Sequence, residues 1–133
     1  MKNLQLSLKQ KWFDLTKSGE KTEDYRELTP YWCARLLYKI PYPHGGYFNA
    51  SNDILKGDYD CIGWNEFAGG APLFEKFTTN TMTLGYPKST DTERILHYEH
   101  KGIEIRTGKP EWGAEPGKIY FVIMHGKQIL KPE

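Results

Sequence analysis

The chain has 133 residues, 38% of them hydrophobic, and its 18 Lys and Arg nearly balance its 17 Asp and Glu, for a net charge of +1. This size and composition are typical of one domain with a packed core, and the near-neutral charge excludes a global field that would hold duplex nucleic acid or an anionic membrane. No stretch reaches the roughly 18 apolar residues of a membrane span and no export signal is apparent, so we expect a cytoplasmic protein.

The N-terminal residues predict a strand followed by a helix. Three leucines alternate with polar residues in the period-two pattern of a half-buried strand: Leu4, Leu6 and Leu8. A helix is expected from about Lys9 to Ser18, with Ser7 and Gln10 as a capping box at its start. Gly19 is expected to end it, because glycine tolerates the positive φ of a helix C-terminus.

A second helix is predicted to start at Thr29, because Pro30 fits the first helical position. The apolar residues that follow recur at i, i+3, i+4 and i+7 and form a core-facing stripe: Cys33, Leu36, Leu37 and Ile40. From about Pro41 to Lys76 this period is lost among glycines and prolines. We interpret this segment as an irregular insertion, either functional or mobile, whose aromatic residues pack in part.

The second half of the chain predicts strands over Phe77–Leu84, Arg94–Glu99, Gly102–Arg106 and Ile119–Met124. The last of these, IYFVIM, is apolar at every position, which predicts burial on both faces, as in a central barrel strand. This order of helices and strands, without repeated βαβ units, favours an α+β fold built on a β-barrel with the first helix across one end.

Several kinds of site are not indicated by the sequence. It contains no GxxxxGK[ST] or GxGxxG loop and no GxSxG elbow, so we predict no nucleotide cofactor. Cys33 and Cys61 lack CxxC spacing, and His97 and His100 would point to opposite faces of a strand, so we predict neither a disulfide framework nor a metal site. The isolated histidines are interpreted as surface or core-edge residues: His44 and His125.

The segment Gly19–Glu27 stands out because, as a strand, it is polar on both faces. A solvated edge strand laced with ion pairs would explain this pattern. The alternative is a polar cleft lined by Lys21, Asp24 and Arg26, in which two cations keep Asp24 ionised and retain donors for a ligand oxygen.

Gly19, Lys21, Asp24 and Arg26 match the GxKxxExR signature of ASCH domains, a branch of the PUA-like barrels, with aspartate in place of the usual glutamate. The blocks LSLKQKWFDLTKSG, RELTPYWCARLL, NTMTLGY and GIEIRTGKPEWGAEPGKIYFVI also resemble a phage- and Bacteroides-type subgroup. The resemblance covers most of the chain outside about 41–76. It implies a single ASCH domain over 1–133, a PUA-like β-barrel with short flanking helices.

The resemblance further implies that a cleft between helix and barrel binds RNA or a modified nucleoside. Arg26 and Lys21 would contact phosphate or a base carbonyl, and Asp24 would accept from a base amino group or orient the two cations. Additional contacts are expected at the helix start and from aromatic side chains, for which ordinary packing is the alternative: Lys9, Gln10, Trp12, Tyr86 and Trp112.

Two other functions remain open. Some ASCH proteins resemble amidohydrolases of acylated cytidine that use a lysine, a threonine nucleophile and a glutamate, which makes Lys21 and Asp24 catalytic candidates for acylated pyrimidine nucleosides. Asp24 stands at the threonine position, where a carboxylate would form a mixed anhydride, and this argues against an enzyme. The third hypothesis is a protein-interaction module that binds a partner through the segment at about 41–76, which flat salt dependence would favour over RNA.

Overall fold

The structure, a computed structural model, describes residues 2–59, 66–67 and 71–130, with the backbone alone at 66–67 and 71. Its strands are β1 (Asn3–Leu8), β2 (Glu23–Arg26), β3 (Ile40–Pro41), β4 (Tyr47–Phe48), β5 (Glu66–Phe67), β6 (Ala71–Pro72), β7 (Thr79–Leu84), β8 (Ile95–Thr107) and β9 (Ile119–Ile129). Its helices are α1 (Gln10–Lys17), α2 (Pro30–Leu36) and α3 (Ser51–Leu55), with 3-10 turns at Thr92–Arg94 and Pro110–Trp112. No helix in these described ranges is long and apolar enough to cross a membrane.

A five-stranded sheet in the order β1-β7-β8-β9-β2 is the centre of the fold. β1 pairs with β7 in parallel, and the other three neighbours are antiparallel. The sheet curls into a half-barrel with β1 and β2 as its two edges, so the α+β class is confirmed. The sequence predicted a closed or nearly closed barrel, whereas the structure has this more open half-barrel.

Strand β8 differs most from the sequence-based expectation. Two strands were predicted, Arg94–Glu99 and Gly102–Arg106, whereas the structure has one continuous strand. Register shifts against β9 fall between Tyr98 and His100 and between His100 and Gly102, and Gly102 adopts a φ of 145°. These irregularities let the strand continue past residues that interrupt the alternation of side chains. The residues between the two predicted strands, His100 and Lys101, thus lie in an irregular part of one continuous strand.

Strand β9 is buried on both faces over residues 120–123, as predicted from its apolar run. Phe121 and Ile123 lie in the main core with the leucines of β1. Tyr120 and Val122 face a smaller cluster that includes Ala114. The strand extends beyond the predicted end at Met124 because its polar residues pair with the first half of β8.

Helix α1 follows its predicted bounds closely and α2 begins where predicted, but the capping box is wrong. Ser7 still belongs to β1 and its hydroxyl donates to the Gly85 carbonyl at 3.2 Å, while the Gln10 amide donates to Asp14 at 2.8 Å. Gly19 has the expected positive φ of 87°. Thr29 caps α2 by accepting from the Trp32 amide at 3.3 Å.

The apolar stripe of α2 is shorter than predicted. Cys33 and Leu36 are buried on the helix, and Leu37 is buried in an extended conformation after the helix ends. Ile40 therefore lies outside the helix, at the start of β3, where it is half-buried. After Leu37 the backbone leaves the helix axis, because the main-chain amide of Tyr38 donates to the Leu73 carbonyl and not to a carbonyl of the helix.

The segment at about 41–76 contains only short elements in its described part. It is anchored in the main core by aliphatic residues, Ala50, Ile54 and Leu73. Tyr42 and Tyr47 are more than half exposed, in contrast to the buried aromatic residues of β9, as expected. The predicted packing of Trp64 and Phe67, like the interpretation of Cys61, concerns side chains outside the described residues.

Candidate functional site

Asp24 is the most deeply buried carboxylate of the polar segment, with 2% of its surface exposed. It lies on β2 opposite Ile123 of β9. The ammonium of Lys21, only 3% exposed, donates to Asp24 Oδ1 and to the Glu23 carbonyl, both at 2.5 Å. Strand alternation alone would put Lys21 and Asp24 on opposite faces, but Lys21 precedes the first strand residue and its side chain turns back to Asp24, as the predicted cleft requires.

The second partner of the Asp24 carboxylate is His125, where the sequence had suggested another cation. Nε2 of His125 lies 2.6 Å from Asp24 Oδ2. Burial alone would raise the pKa of Asp24, but the hydrogen bond from His125 and the charge of Lys21 outweigh it and hold that pKa well below its usual range. Burial lowers the pKa of Lys21, and Asp24 opposes this shift. The geometry therefore keeps Asp24 ionised.

A hydrogen-bonded chain continues from His125 into the sheet through Asn80 of β7. The Asn80 amide nitrogen lies 2.8 Å from His125 Nδ1 and 3.3 Å from the Met124 carbonyl. A carbonyl only accepts, so the Asn80 atom beside the Met124 carbonyl must be the amide nitrogen, which donates. His125 Nδ1 therefore accepts from Asn80, and His125 Nε2 carries the proton that it donates to Asp24. At the other end, Asn80 Oδ1 accepts from His100 Nδ1 at 2.7 Å.

Arg26 spans the open side of the half-barrel. Its guanidinium donates to the Tyr25 carbonyl of its own strand at 3.0 Å and to the Ser7 carbonyl of β1 at 3.2 Å. The group also lies over the Trp32 ring, 5.2 Å from the ring centroid. Burial lowers the pKa of Arg26, partly opposed by the nearby Asp24. Two of the five guanidinium N–H groups are used by these carbonyls, so donors remain for a ligand.

The two interpretations of β2 each describe part of the strand. Glu23 forms an ion pair with Arg106 at 2.5 Å, and Glu27 beyond the strand pairs with Lys118, as expected of a polar edge. Asp24 and Arg26 instead line a cleft of about 260 Å³ beside α1. The same strand thus carries surface ion pairs and one wall of a cavity.

The cleft brings together six of the eight residues proposed from the sequence: Lys9, Trp12, Lys21, Asp24, Arg26 and Trp112. Trp12 comes from α1 and Trp112 from the second 3-10 turn. Gly113 follows that turn with a φ of 104°, and an added Cβ there would lie 2.9 Å from the Trp12 ring. The absence of a side chain at Gly113 therefore allows the turn to approach α1 closely.

The other two proposed residues lie elsewhere. The Gln10 side chain is bonded to Asp14 on α1 and is not among the residues that line the cleft. Tyr86 is 96% exposed and lines an adjacent cavity that also includes Ser7 and Arg26. Arg26 is thus shared between the two cavities.

Sequence reasoning missed His125, which it interpreted as a surface or core-edge residue. The structure buries it on the same side of β9 as Phe121 and Ile123, with 5% of its surface exposed. That periodicity was visible in the sequence, because a histidine two residues after a fully buried strand position continues the buried face. Asn80, a polar residue within the buried strand TNTMTL, was a second available signal.

The histidines of the HxxH motif contact different partners. His97 Nδ1 lies 3.0 Å from the Thr81 hydroxyl, whereas His100 bonds to Asn80. Within the described residues, no three His, Cys, Asp or Glu side chains are grouped to hold a metal ion. The polar network around Asp24 is therefore a hydrogen-bonded cluster of one lysine, one carboxylate, two histidines and an amide.

Comparison of the chain with models of protein families, with curated proteins and with solved structures finds no match. The geometry of the cleft and the motif that includes β2 are therefore the features that point to a function.

Proposed function

We propose that the cleft binds an unpaired nucleobase, presented by RNA or by a modified nucleoside, and that the chain is a PUA-like domain of the ASCH type. The observation that carries this proposal is the ionised Asp24 on the cleft wall, fixed by Lys21 and His125 and accompanied by two tryptophans. The half-barrel with the GxKxxDxR segment on its edge strand, beside α1, supports the family assignment.

The polar atoms of the cleft match the edge of a base. A carboxylate accepts about four hydrogen bonds, and two positions on Asp24 are taken by Lys21 and His125. An ammonium donates three, and two donors of Lys21 are used by Asp24 and Glu23. The two remaining acceptor positions of Asp24 beside the one remaining donor of Lys21 suit a base that presents an amino group next to a ring nitrogen or carbonyl. Because both groups are held by the protein, little order is lost when a ligand binds.

The surroundings supply the other parts of a nucleotide site. Trp12 and Trp112 offer aromatic surface for stacking, and Lys9 and Arg26 bring positive charge toward a phosphate. Lys21 is too deeply buried for the phosphate contact considered from the sequence, so its role is on the base. Its amine is a fixed donor at the cleft wall.

The amidohydrolase alternative receives less support from the same geometry. Asp24 occupies the position of the threonine nucleophile, and both of its oxygens already bond to Lys21 and His125. Thr22, the nearest threonine in sequence, is exposed and is not among the described residues that line the cleft. A binding module makes use of the groups present without requiring a hydroxyl nucleophile.

The proposal is tested by equilibrium binding of a panel of RNA octamers and of free and base-modified nucleosides, each paired with thermal melts. Trp112→Ala should weaken binding by about 1 to 3 kcal/mol if its ring stacks on a base. Tyr47→Ala is the matched control, since this exposed ring of β4 lies outside the cleft. Failure of the folded wild-type chain to bind any member of the panel would overturn the proposal.

A further inference from the structure

A second groove lies next to the cleft on the open side of the half-barrel. It has a volume of about 560 Å³ and shares Ser7 and Arg26 with the cleft. Its remaining walls come from α2, the outer strand β1 and the end of β7, and its principal side chains are Arg26, Tyr31, Trp32, Arg35, Thr83 and Tyr86. We call this surface the seam groove. Because Arg26 belongs to both cavities, a ligand in one is within reach of the other.

The seam groove combines stacked guanidinium groups with aromatic rings. Arg26 and Arg35 lie over the ring of Trp32, with their central carbons 5.2 and 5.5 Å from its centroid. Arg35 also donates to the Tyr31 hydroxyl at 3.1 Å, and the Tyr31 ring packs edge-on against Trp32 at 5.1 Å between centroids. Each arginine is therefore held in place by a ring while retaining free N–H groups.

Two aromatic rings of this groove are largely exposed. Tyr31 is 60% exposed and Tyr86 is 96% exposed. Tyr31 lies on α2, and Tyr86 follows β7. The described side chains that line the groove include two arginines and no carboxylate. On a chain of net charge +1, this is a local concentration of positive charge next to accessible aromatic faces. Surfaces of that composition bind single-stranded nucleic acid by combining backbone attraction with base stacking.

We propose that the seam groove is a second nucleotide subsite, so that the ligand is a single-stranded oligonucleotide whose neighbouring nucleotides occupy the cleft and the groove. This inference rests on the proposed function of the cleft and extends it from a free nucleoside to a strand. Arg26, between the cavities, contacts the linking phosphate, and Arg35 contacts the next one. A paired base cannot stack on Tyr86 or Tyr31, so duplexes are excluded from this site.

The test uses the full chain and fluorescein-labelled octamers of ribo-A, ribo-C and ribo-U, with deoxy-C octamer as the arm that separates RNA from DNA. Cytidine, adenosine and uridine 5′-monophosphates are the single-nucleotide probes. The groove variants are Arg35→Ala and Tyr86→Ala. Their matched controls are Arg94→Ala and Tyr47→Ala, which remove the same side chains from exposed positions outside both cavities. Thermal melts establish that all four variants are folded.

We expect each groove variant to weaken the best octamer about tenfold while leaving monophosphate binding unchanged, because one nucleotide occupies only the cleft. Arg35→Ala should also reduce the slope of log affinity against log salt by about 0.7, the value for one lost phosphate contact on a single strand. The controls should change neither quantity. A deoxy-C octamer that binds as well as ribo-C would assign the groove to single strands of both sugars.

The outcomes separate this inference from the proposal on which it rests. Groove variants that bind the octamer like wild type overturn the inference. The cleft proposal then depends on the result for Trp112→Ala alone. Weakening by the groove variants without any effect of Trp112→Ala supports the groove as a strand-binding site and overturns the proposed function of the cleft. No binding of any octamer or monophosphate overturns both.

Discussion

The carboxylate of Asp24 accepts a hydrogen bond from Nε2 of His125, 2.6 Å away in space and 101 positions later in the chain. This contact joins the edge strand β2 to β9 beyond their main-chain pairing. It also connects the cleft to Asn80 and His100 inside the sheet. The rigidity of the candidate site is therefore coupled to the stability of the half-barrel, which determines how variants of the network should behave.

Removal of the Asp24 carboxylate should destabilise the fold strongly. Asp24→Ala leaves the buried amine of Lys21 without its ion-pair partner, and breaking such a pair costs about 3 to 5 kcal/mol. The free energy of unfolding in urea measures this loss. Asp91→Ala, which breaks the exposed pair with Arg94, should cost less than about 1 kcal/mol. Similar losses for the two variants would contradict the buried pair.

Asp24 and His125 should be energetically coupled. In a double-mutant cycle with Asp24→Asn and His125→Gln, we expect an interaction free energy of about 1 to 3 kcal/mol, because each group is the other's buried partner. Urea unfolding of the four proteins gives this value. The exposed pair of Lys17 and Glu93 provides a reference cycle, with expected coupling below about 1 kcal/mol. Additive effects at Asp24 and His125 would rule out their contact.

The protein should lose stability in acid through His100. Burial lowers the pKa of His100 from 6.5 to about 4, so as the pH falls the unfolded chain binds a proton at this site before the folded chain does. Stability is then fully present above pH 6.5 and falls as the pH drops toward 4, by about 1 to 2 kcal/mol after allowance for solvent screening.

Urea unfolding at several pH values checks this window with His100→Gln, which should show a flatter dependence, and with His44→Gln, an exposed control that should match wild type. An unchanged pH profile for His100→Gln would contradict the assignment. Below about pH 3.8 a further loss is expected from Asp24, since its pKa is lowered in the fold and its stabilising charge disappears only when the carboxyl is protonated.

Arg26 should matter for both the fold and the ligand. Arg26→Ala removes the donor that joins β2 to the Ser7 carbonyl of β1, which should cost about 1 to 2 kcal/mol of stability. It should also weaken RNA binding by about 1 to 3 kcal/mol, because two donors of one guanidinium are lost together.

Arg26→Lys separates the contribution of the positive charge from that of the planar guanidinium group. A lysine retains the positive charge but not the planar group over Trp32, so it should recover only part of the binding. Affinities by fluorescence anisotropy and unfolding curves on the same samples measure both effects. A stability loss with RNA affinity unchanged would show that Arg26 acts only on the fold.

Local patterns in the sequence were sufficient for much of the scaffold. The alternation in β1, the start of α2 at Thr29, the end of α1 at Gly19 and the two-sided burial of β9 all follow from short-range backbone and packing preferences. The continuity of β8 was not predictable in this way, because a bulge depends on the register of the neighbouring strand. For the same reason the sequence did not reveal that the barrel stays half open.

The site residues that were predicted from the sequence come from β2 and the residues before it, from α1 and its start, and from the 3-10 turn that ends at Trp112. The motif placed Asp24 and Arg26 on one strand face, and helical spacing placed Trp12 nearby. His125 and Trp32 contact these residues from distant parts of the chain, so no local spacing connects them. Lys21 lies in the cleft with Asp24 as the motif predicted, although its side chain reaches the carboxylate from a position before the strand begins at Glu23. The pairing of β2 with β9 brings His125 to Asp24, and the position of α2 brings Trp32 to Arg26.

The most direct test of the nucleobase site is NMR observation of the tryptophan indole N–H signals, assigned by single Trp substitutions, during titration with the ribo-A, ribo-C and ribo-U octamers. We expect at least one octamer to shift the signals of Trp12 and Trp112 in a saturable manner, with the same dissociation constant as fluorescence anisotropy, because both rings line the cleft. Saturation of the protein with RNA while both signals remain unshifted would show that the cleft is not the nucleobase site.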